Sequence, residues 1–519
     1  MKVRALLLDT RSIQKYIFSG NKLRTNIGAS YMVEHLFEKD LVHKVVAPKV
    51  KDLGWTLDSQ SWKEQAGTIS DLAADCYVAY IGGGNALLLF KADKEDIRAS
   101  LVTEFTKQLL VTYPGLRVGA ALGDIDLDSF AEDLRSLYVD LKASQNRYNP
   151  CVTVPDLGLS HICDVNGQVA NAMDPSLGNR LVSQEVMAKN VAAQEAIDAL
   201  EAEFKDVIGH YKFPVELERL GQIEGHNDIA IVHIDGNNMG KKFQACQSLG
   251  ERSQLSRRVA QKTKEAFRSL LQTIVDEYDA YTVAQPNGLS LSHQGVDYLP
   301  IRPLILGGDD ITFVCNGQLA LTYTKRFMEF LNKETEVNGG RIAIDSCAGI
   351  AILNTSYPFF RGYQLAEQLC DRAKEEARKE PGSSYLDFAI LHGEQAPTLE
   401  QIREDEYQGI IGDLHFGPYQ VDQGSDKMHQ LHNLLACVDI FADKEAWPQS
   451  KLKGLRSALA KGHFERNQFM EQLRYQGKSL PAIESWEAFA ENGWSSVTND
   501  HMVTPYIDAI ELVDFILEV

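Results

Sequence analysis

Several protein classes are excluded by what this sequence lacks. Its 519 residues hold no apolar run of 18 or more, so no transmembrane helix is expected and a membrane partner is excluded. The apolar stretch after Met1 is too short for a signal peptide. The eight cysteines, at 76, 151, 163, 246, 315, 347, 370 and 437, include no Cys-x-x-Cys pair. Several sit in apolar runs, as reduced buried thiols do, and a cytoplasmic protein is expected. Basic residues are outnumbered, 52 Lys and Arg against 72 Asp and Glu, for a net charge of −20. That balance argues against a large non-specific nucleic-acid face, which needs clustered cations. There is no Gly-x-x-x-x-Gly-Lys-Ser/Thr phosphate loop and no His-Asp dipeptide.

What is present centres on residues 301–315, where an apolar run enters Gly307-Gly308-Asp309-Asp310 and a second run, Ile311 to Val314, leaves it. This pattern predicts a β-hairpin with glycine at the turn. Adjacent carboxylates at a hairpin tip repel each other and serve no structural purpose there. A bound divalent cation would remove the repulsion, and carboxylate oxygens suit Mg²⁺ or Mn²⁺.

The same pattern occurs earlier in the chain. Residues 3–9 predict a strand ending at Asp9, followed by helices near 11–18 and 29–39. Residues 76–91 predict a hairpin with Gly82-Gly83-Gly84-Asn85 at its tip, followed by a helix over 94–112 and a strand over 116–122. In the second half, 228–235 predicts a strand ending at Asp235. A helix over 253–278, the Gly-Gly-Asp-Asp hairpin, a helix over 318–335 and a strand over 341–352 complete that copy. Asp9 precedes Gly82 by 73 residues, and Asp235 precedes Gly307 by 72. One order of elements at one spacing is an internal repeat, β-α-α-β-β-α-β, an α+β unit. Both copies keep the glycines, but only the second keeps the acids. The second copy is therefore the functional one, and Asp9 is left with a capping or hydrogen-bonding role.

A strand-terminal acid beside a hairpin acid is the minimal site for two-metal phosphoryl transfer. Asp235, Asp309 and Asp310 are the expected catalytic residues and metal ligands. Gly236, Asn237, Asn238 and Gly240 allow close backbone approach at a helix start, where triphosphate oxygens can bind. Gly307 and Gly308 in the active copy, and Gly82 and Gly83 in the other, complete the expected substrate-binding set. Residues 364–379 predict a helix with Lys374 and Arg378 on one face, in reach of a triphosphate.

At these residues the sequence resembles the CRISPR polymerase family, the large catalytic subunit of type III CRISPR effector complexes. The resemblance lies in the stretch Ser12 to Phe18, in Asp235-Gly236-Asn237-Asn238-Met239-Gly240, in Gly307 to Asp310, in Ala373-Lys374 and in Ser383 to Phe388. It covers about residues 1–390. It implies two ferredoxin-like palm (nucleotidyl cyclase-like) domains with a helical linker and a helical C-terminal domain. It also implies conversion of ATP, or another nucleoside triphosphate, into a cyclic oligonucleotide messenger in antiviral defence, using two Mg²⁺ or Mn²⁺ ions. Partner effector subunits and a guide RNA are implied, with a homo-oligomer left open. Asn237 stands where many palms carry a second acid. The HD nuclease domain common in the family is not expected. The family's Cys-rich zinc site has only Cys151, His161 and Cys163 to draw on, a poor zinc spacing. The expected domains are a degenerate first palm over 1–125, a connecting region over 126–226, the active palm over 227–390 and a helical domain over 391–519. Helices are expected over 128–144 and 183–208, and at a start marked by Pro397-Thr398 and Gln401. His429 and His432 read as a solvated pair. Two alternatives stay open: an effector subunit active only in its RNA-guided complex, and an inactive nucleotide-binding scaffold.

Overall fold

The computed structural model describes residues 1–63, 73–147, 158–223, 227–283, 288–337, 339–393, 398–422, 427–498 and 501–517. Cys151 and Pro397 lie outside them.

The first unit comprises β1 (Lys2–Arg11), α1 (Ile13–Ile17), α2 (Leu23–His35), β2 (Leu57–Asp58), β3 (Cys76–Gly82), β4 (Asn85–Lys91), α3 (Arg98–Thr112) and β5 (Arg117–Asp126). Its sheet runs β2-β3-β4-β1-β5, antiparallel except at the β2 edge. Strand β1 is apolar without alternation because both of its faces are covered. Leu6 and Leu8 enter the main core. Val3, Ala5 and Leu7 enter a second cluster under α4 (Phe130–Arg147) with Phe130, Leu134, Leu137 and Leu141. Helix α4 thus roofs the first sheet. A further helix, α5 (Gln184–Glu203), packs on α2; Asn190 Oδ1 accepts from Thr25 Oγ1 at 2.9 Å.

The second unit comprises β6 (Asp228–Gly236), α6 (Met239–Ala245), α7 (Leu249–Asp276), β7 (Ile301–Gly307), β8 (Asp310–Asn316), α8 (Ala320–Asn332), β9 (Ser346–Asn354), α9 (Phe359–Ala377) and β10 (Tyr385–Ile390). Its sheet runs β7-β8-β6-β9-β10-β11, where β11 (Tyr419–Gln420) arrives from the C-terminal region. The shared part of the two sheets, β3-β4-β1-β5 and β7-β8-β6-β9, has one strand order, that of a ferredoxin-like palm. The match extends to detail. Both hairpins carry a bulge at one place, between Val78 and Tyr80 and between Pro303 and Ile305. Both first strands also pass into their helix through a left-handed residue, Ser12 (φ 53°) and Asn238 (φ 57°).

Local boundaries differ from the sequence reading where tertiary contacts decide them. The helix expected over 29–39 starts at Leu23 and continues beyond His35 as a π-helix, Leu36–Val46, on buried Leu36, Phe37, Leu41 and Val42. The strand expected over 341–352 is broken at Asp345, whose carbonyl accepts from the Asn237 N–H at 2.8 Å. After β10, helices α10 (Leu399–Glu406), α11 (Leu431–Ala442), α12 (Gln449–Ala460), α13 (His463–Tyr475) and α14 (Tyr506–Leu512) form the C-terminal region. Helix α10 opens with the expected capping box of Thr398 and Gln401. A short antiparallel ribbon, Ser495–Thr498 with His501–Val503, accompanies these helices. Among the described residues no helix is long and apolar enough to cross a membrane.

The two palms share one hydrophobic core. Phe18, fully buried at the end of α1, stacks on Tyr363 of α9 at 4.0 Å and on Phe359 at 5.8 Å. Phe18→Ala is expected to cost ~3–5 kcal/mol, because these rings cannot collapse into the hole. A fall in the denaturant midpoint at unchanged slope checks it.

Candidate active site

The acids of the second palm meet through strand register. Strand β6 lies between β8 and β9, and Asp235 sits opposite Asp310 on one side and Cys347 on the other. The hairpin closes at Gly307 opposite Asp310. Gly308 takes φ 68°, a conformation that favours glycine, and Asp309 is not left-handed. The first palm's tip uses two left-handed residues, Gly83 (φ 58°) and Gly84 (φ 77°), so its counterpart of Asp309 has to be glycine. The turn is further pinned by the Thr263 hydroxyl of α7, which donates to the Gly308 carbonyl, and by the Gly236 N–H, which donates to the Asp309 carbonyl at 3.0 Å. Gly236 is tightly enclosed: a Cβ there would stand 3.0 Å from the Asp309 Cβ and 3.0 Å from the Met239 Cγ, so those side chains would have to give by a few tenths of an ångström.

Crowding sets the electrostatics. Burial, then the charge of Asp235, pushes the Asp309 carboxyl up to about 6. Burial, then Asp235 and Asp309, pushes Asp310 up to about 7. The Oδ1 of Asp310 is buried and has no hydrogen-bond partner. It lies 3.6 Å from His233 Nδ1, but burial and the neighbouring Lys374 push that imidazole down to about 4, so it is neutral at pH 7. Asp235 is held by Lys374 of α9, Nζ to Oδ2 at 2.6 Å, with Asp371 3.6 Å from the same ammonium. Burial works against that charge, and the surrounding acidic groups outweigh it, so Lys374 is held above its ordinary range. Across the domain boundary, Gln14 of α1 donates to Asp310 Oδ2 at 3.5 Å.

Asp235, Asp309, Asp310, Lys374, Gly236, Gly307 and Gly308 are therefore brought together. Asn238 and Gly240 are exposed beside them, on the loop and first turn of α6. Asn237 is placed differently from the substrate-facing position the sequence suggested. It is buried, and its amide donates to the Ser383 carbonyl at 3.0 Å, tying the end of β6 to the approach to β10. Arg378 is exposed at the end of α9. Gly82 and Gly83 stay with the first palm's tip, where a Cβ on Gly82 would meet only Ser256 of α7 at 3.6 Å. His429 stacks on Phe416 at 4.2 Å, whereas His432 is exposed. Cys163 is buried, and among the described residues no three His, Cys, Asp or Glu side chains are grouped to hold a metal.

In the first palm the counterpart position is closed. Asp9 sits opposite Asn85, as Asp235 sits opposite Asp310. Gln145 at the end of α4 donates to Asp9 Oδ2 at 2.8 Å, and Arg11 donates to the Gln145 carbonyl at 2.8 Å. Gly119 leaves the space that the Gln145 side chain fills. Gln14, His233 and Gln145 were not singled out from sequence. The first two lie within stretches bounded by the motifs, and the spacing of His233 to Asp235, two residues along one strand, was the signal for a shared face.

These features define a class: a tandem-palm protein whose second palm presents three converging carboxylates at the end of its sheet. Residues 228–381 match the family model described as Cas10/Cmr2, second palm domain. Over those residues the chain is similar to the second palm of that family. Its fold is similar to a chain of a Csm1–Csm4 cassette crystallised with cA3, at TM-score 0.51 and 11% identity, over 99% of this chain and 70% of that one. A cassette crystallised with cA4 gives TM-score 0.50 and 11% identity, over 99% and 69%. No curated protein matches the sequence.

Proposed function

We propose that this chain is a metal-dependent nucleotidyltransferase that joins ATP into a cyclic oligonucleotide at the second palm. One observation carries the reading: Asp235, Asp309 and Asp310 converge at neighbouring strand ends, with a buried Asp310 oxygen that no protein group satisfies. Buried polar atoms are rarely left unpaired, and an all-oxygen donor set under mutual repulsion fits Mg²⁺ or Mn²⁺. Such ions, held by these three carboxylates, would lower the pKa of a ribose hydroxyl and stabilise the departing pyrophosphate. The chain's own contribution is positioning. Gly236 lets the hairpin and the start of α6 close on each other. Lys374 offers a cation beside the acids for triphosphate oxygens. Gln14 brings the first palm to the site's rim, where a second nucleotide would sit between the palms. The family match over the second palm and the Csm1–Csm4 cassettes with cA3 and cA4 support this choice of product.

The test is incubation with ATP and Mn²⁺ followed by mass spectrometry of the products. Cyclic oligoadenylate from the wild type and none from the Asp309→Ala/Asp310→Ala protein is the expected result. Product retained by the double variant would rule out the site. A subtler variant, Gly236→Ala, is expected to reduce product with little change in melting, because the added methyl makes the Asp309 side chain give by a few tenths of an ångström.

A second reading, an effector subunit active only with its partners and guide RNA, draws on the two-protein nature of those cassettes. It predicts that the isolated chain is silent and that copurifying subunits and RNA restore product.

A further inference from the structure

The geometry points to Lys374 as a built-in stand-in for the cation: it occupies Asp235 while the site is metal-free and must hand that carboxylate over for metal to bind. This rests on the metal-dependent reading above. Its ammonium is 2.6 Å from Asp235 Oδ2 and its side chain is 22% exposed. It is the one cation in ion-pair contact with any of the three site acids among the described residues; the neighbouring Lys242 is engaged with Asp345 at 3.2 Å. Three carboxylates at neighbouring strand ends repel each other, and a single ammonium from α9 on Asp235 relieves that repulsion without closing the site. Asp235 Oδ2 faces Lys374 in this arrangement, and among the described residues no three acids are grouped as a ligand shell.

A lysine that moves needs somewhere to go. Lys374 lies one turn from Asp371, and the start of α6 beyond Gly236 is the place for triphosphate oxygens. An arriving triphosphate takes the ammonium and frees Asp235 in the same event. Metal alone has to break the Asp235 pair without that compensation. The protein therefore couples metal affinity to nucleotide occupancy, and by linkage the coupling is reciprocal.

The experiment measures Mn²⁺ binding by electron paramagnetic resonance or calorimetry, on full-length wild type, Lys374→Met and Asp309→Asn/Asp310→Asn, with and without a non-hydrolysable ATP analogue. Lys374→Met is expected to bind Mn²⁺ about tenfold more tightly than wild type without nucleotide, because a charge-assisted hydrogen bond no longer has to be broken. The tightening produced by the analogue should be larger in wild type than in Lys374→Met. In chelator, Lys374→Met should melt below wild type and recover when Mn²⁺ is added, which separates loss of a counter-ion from misfolding. Equal or weaker Mn²⁺ binding by a folded Lys374→Met, beside a wild type that binds Mn²⁺ through Asp309 and Asp310, would overturn the stand-in role. No Mn²⁺ binding by wild type, or binding that ignores the Asp309→Asn/Asp310→Asn change, would overturn the metal-site reading itself.

Discussion

Asp309→Asn/Asp310→Asn is expected to lose cyclic product by at least about a thousandfold and, at the same time, to stabilise the metal-free protein. The loss follows from removing the charges that would hold cations worth several kcal/mol to the transition state. The gain follows from the crowding. Both carboxyls are pushed up, to about 6 and about 7, by burial and by the acids beside them. An acid whose folded pKa lies above its unfolded value of 3.8 binds its proton more tightly in the native state. Stability therefore falls as pH rises through the window from about 4 to about 7, and above it the full penalty remains. At pH 8 the double variant removes that penalty, ~2 kcal/mol, which for a domain this size shifts melting by several degrees. Melting curves in chelator from pH 5 to pH 8 should descend more steeply for wild type than for the variant. Added Mn²⁺ should flatten the wild-type curve alone. A protein selected for stability would not keep these acids; opposing effects on activity and stability mark a functional site.

The second large effect is expected far from the acids. His415 lies buried between two buried carboxylates, with Nε2 2.8 Å from Asp387 Oδ1 and Nδ1 2.8 Å from Asp508 Oδ1. Carboxylates only accept, so both contacts are satisfied by an imidazolium that donates from each nitrogen. Asp387 belongs to β10 of the second palm and Asp508 to α14. Asp508 also accepts from the Phe416 N–H at 2.9 Å and from the Tyr419 hydroxyl at 2.5 Å, and Arg403 of α10 donates to Asp387 at 3.1 Å. The cluster ties the C-terminal helices to the sheet that bears the site. Burial opposes the Asp387 charge, but His415 and Arg403 outweigh it and bring that carboxyl down to about 2. Burial and Arg403 likewise oppose the imidazolium, and Asp508 and Asp387 outweigh them, so His415 is raised.

His415→Ala is expected to cost ~3–5 kcal/mol, since it strands two buried carboxylates against each other. The C-terminal region should become cleavable in limited proteolysis before the palms do. The raised histidine stabilises fully below its unfolded value, and that contribution is lost as pH rises through its folded value. The depressed Asp387 stabilises above 3.8, and its contribution is lost as pH falls toward about 2. The cluster therefore holds best between those limits. An unchanged proteolysis pattern in His415→Ala would show that the apolar contacts of α11 and α14 suffice.

Much of the palm architecture was legible in the chain because it depends on local pattern. A strand ending in an acid, a glycine tip and a spacing of 72 or 73 residues are one-dimensional features, and two copies fixed the repeat. Strand register did not follow, since 229–234 and 311–316 are buried on both faces and no alternation marks which residues pair; the fold sets Asp235 opposite Asp310. The loss of acids from the first tip was plain from Gly84 and Asn85.

Other features were decided in three dimensions. Asn237 sits in a motif of small polar residues, and only the fold commits its amide to Ser383. Gln145 looks like any residue near the end of a charged helix, yet it closes the Asp9 site from 136 residues away. Lys374 was legible as a cation in reach of a triphosphate, but only the packing of α9 on the sheet sets it on Asp235. His415, Asp387 and Asp508 share no spacing at all. The division has a physical cause. Backbone periodicity and turn chemistry act between residues a few positions apart, and they are written in composition. Charge pairing and burial act through space, and which carboxylate meets which cation is fixed only when distant elements pack into one core.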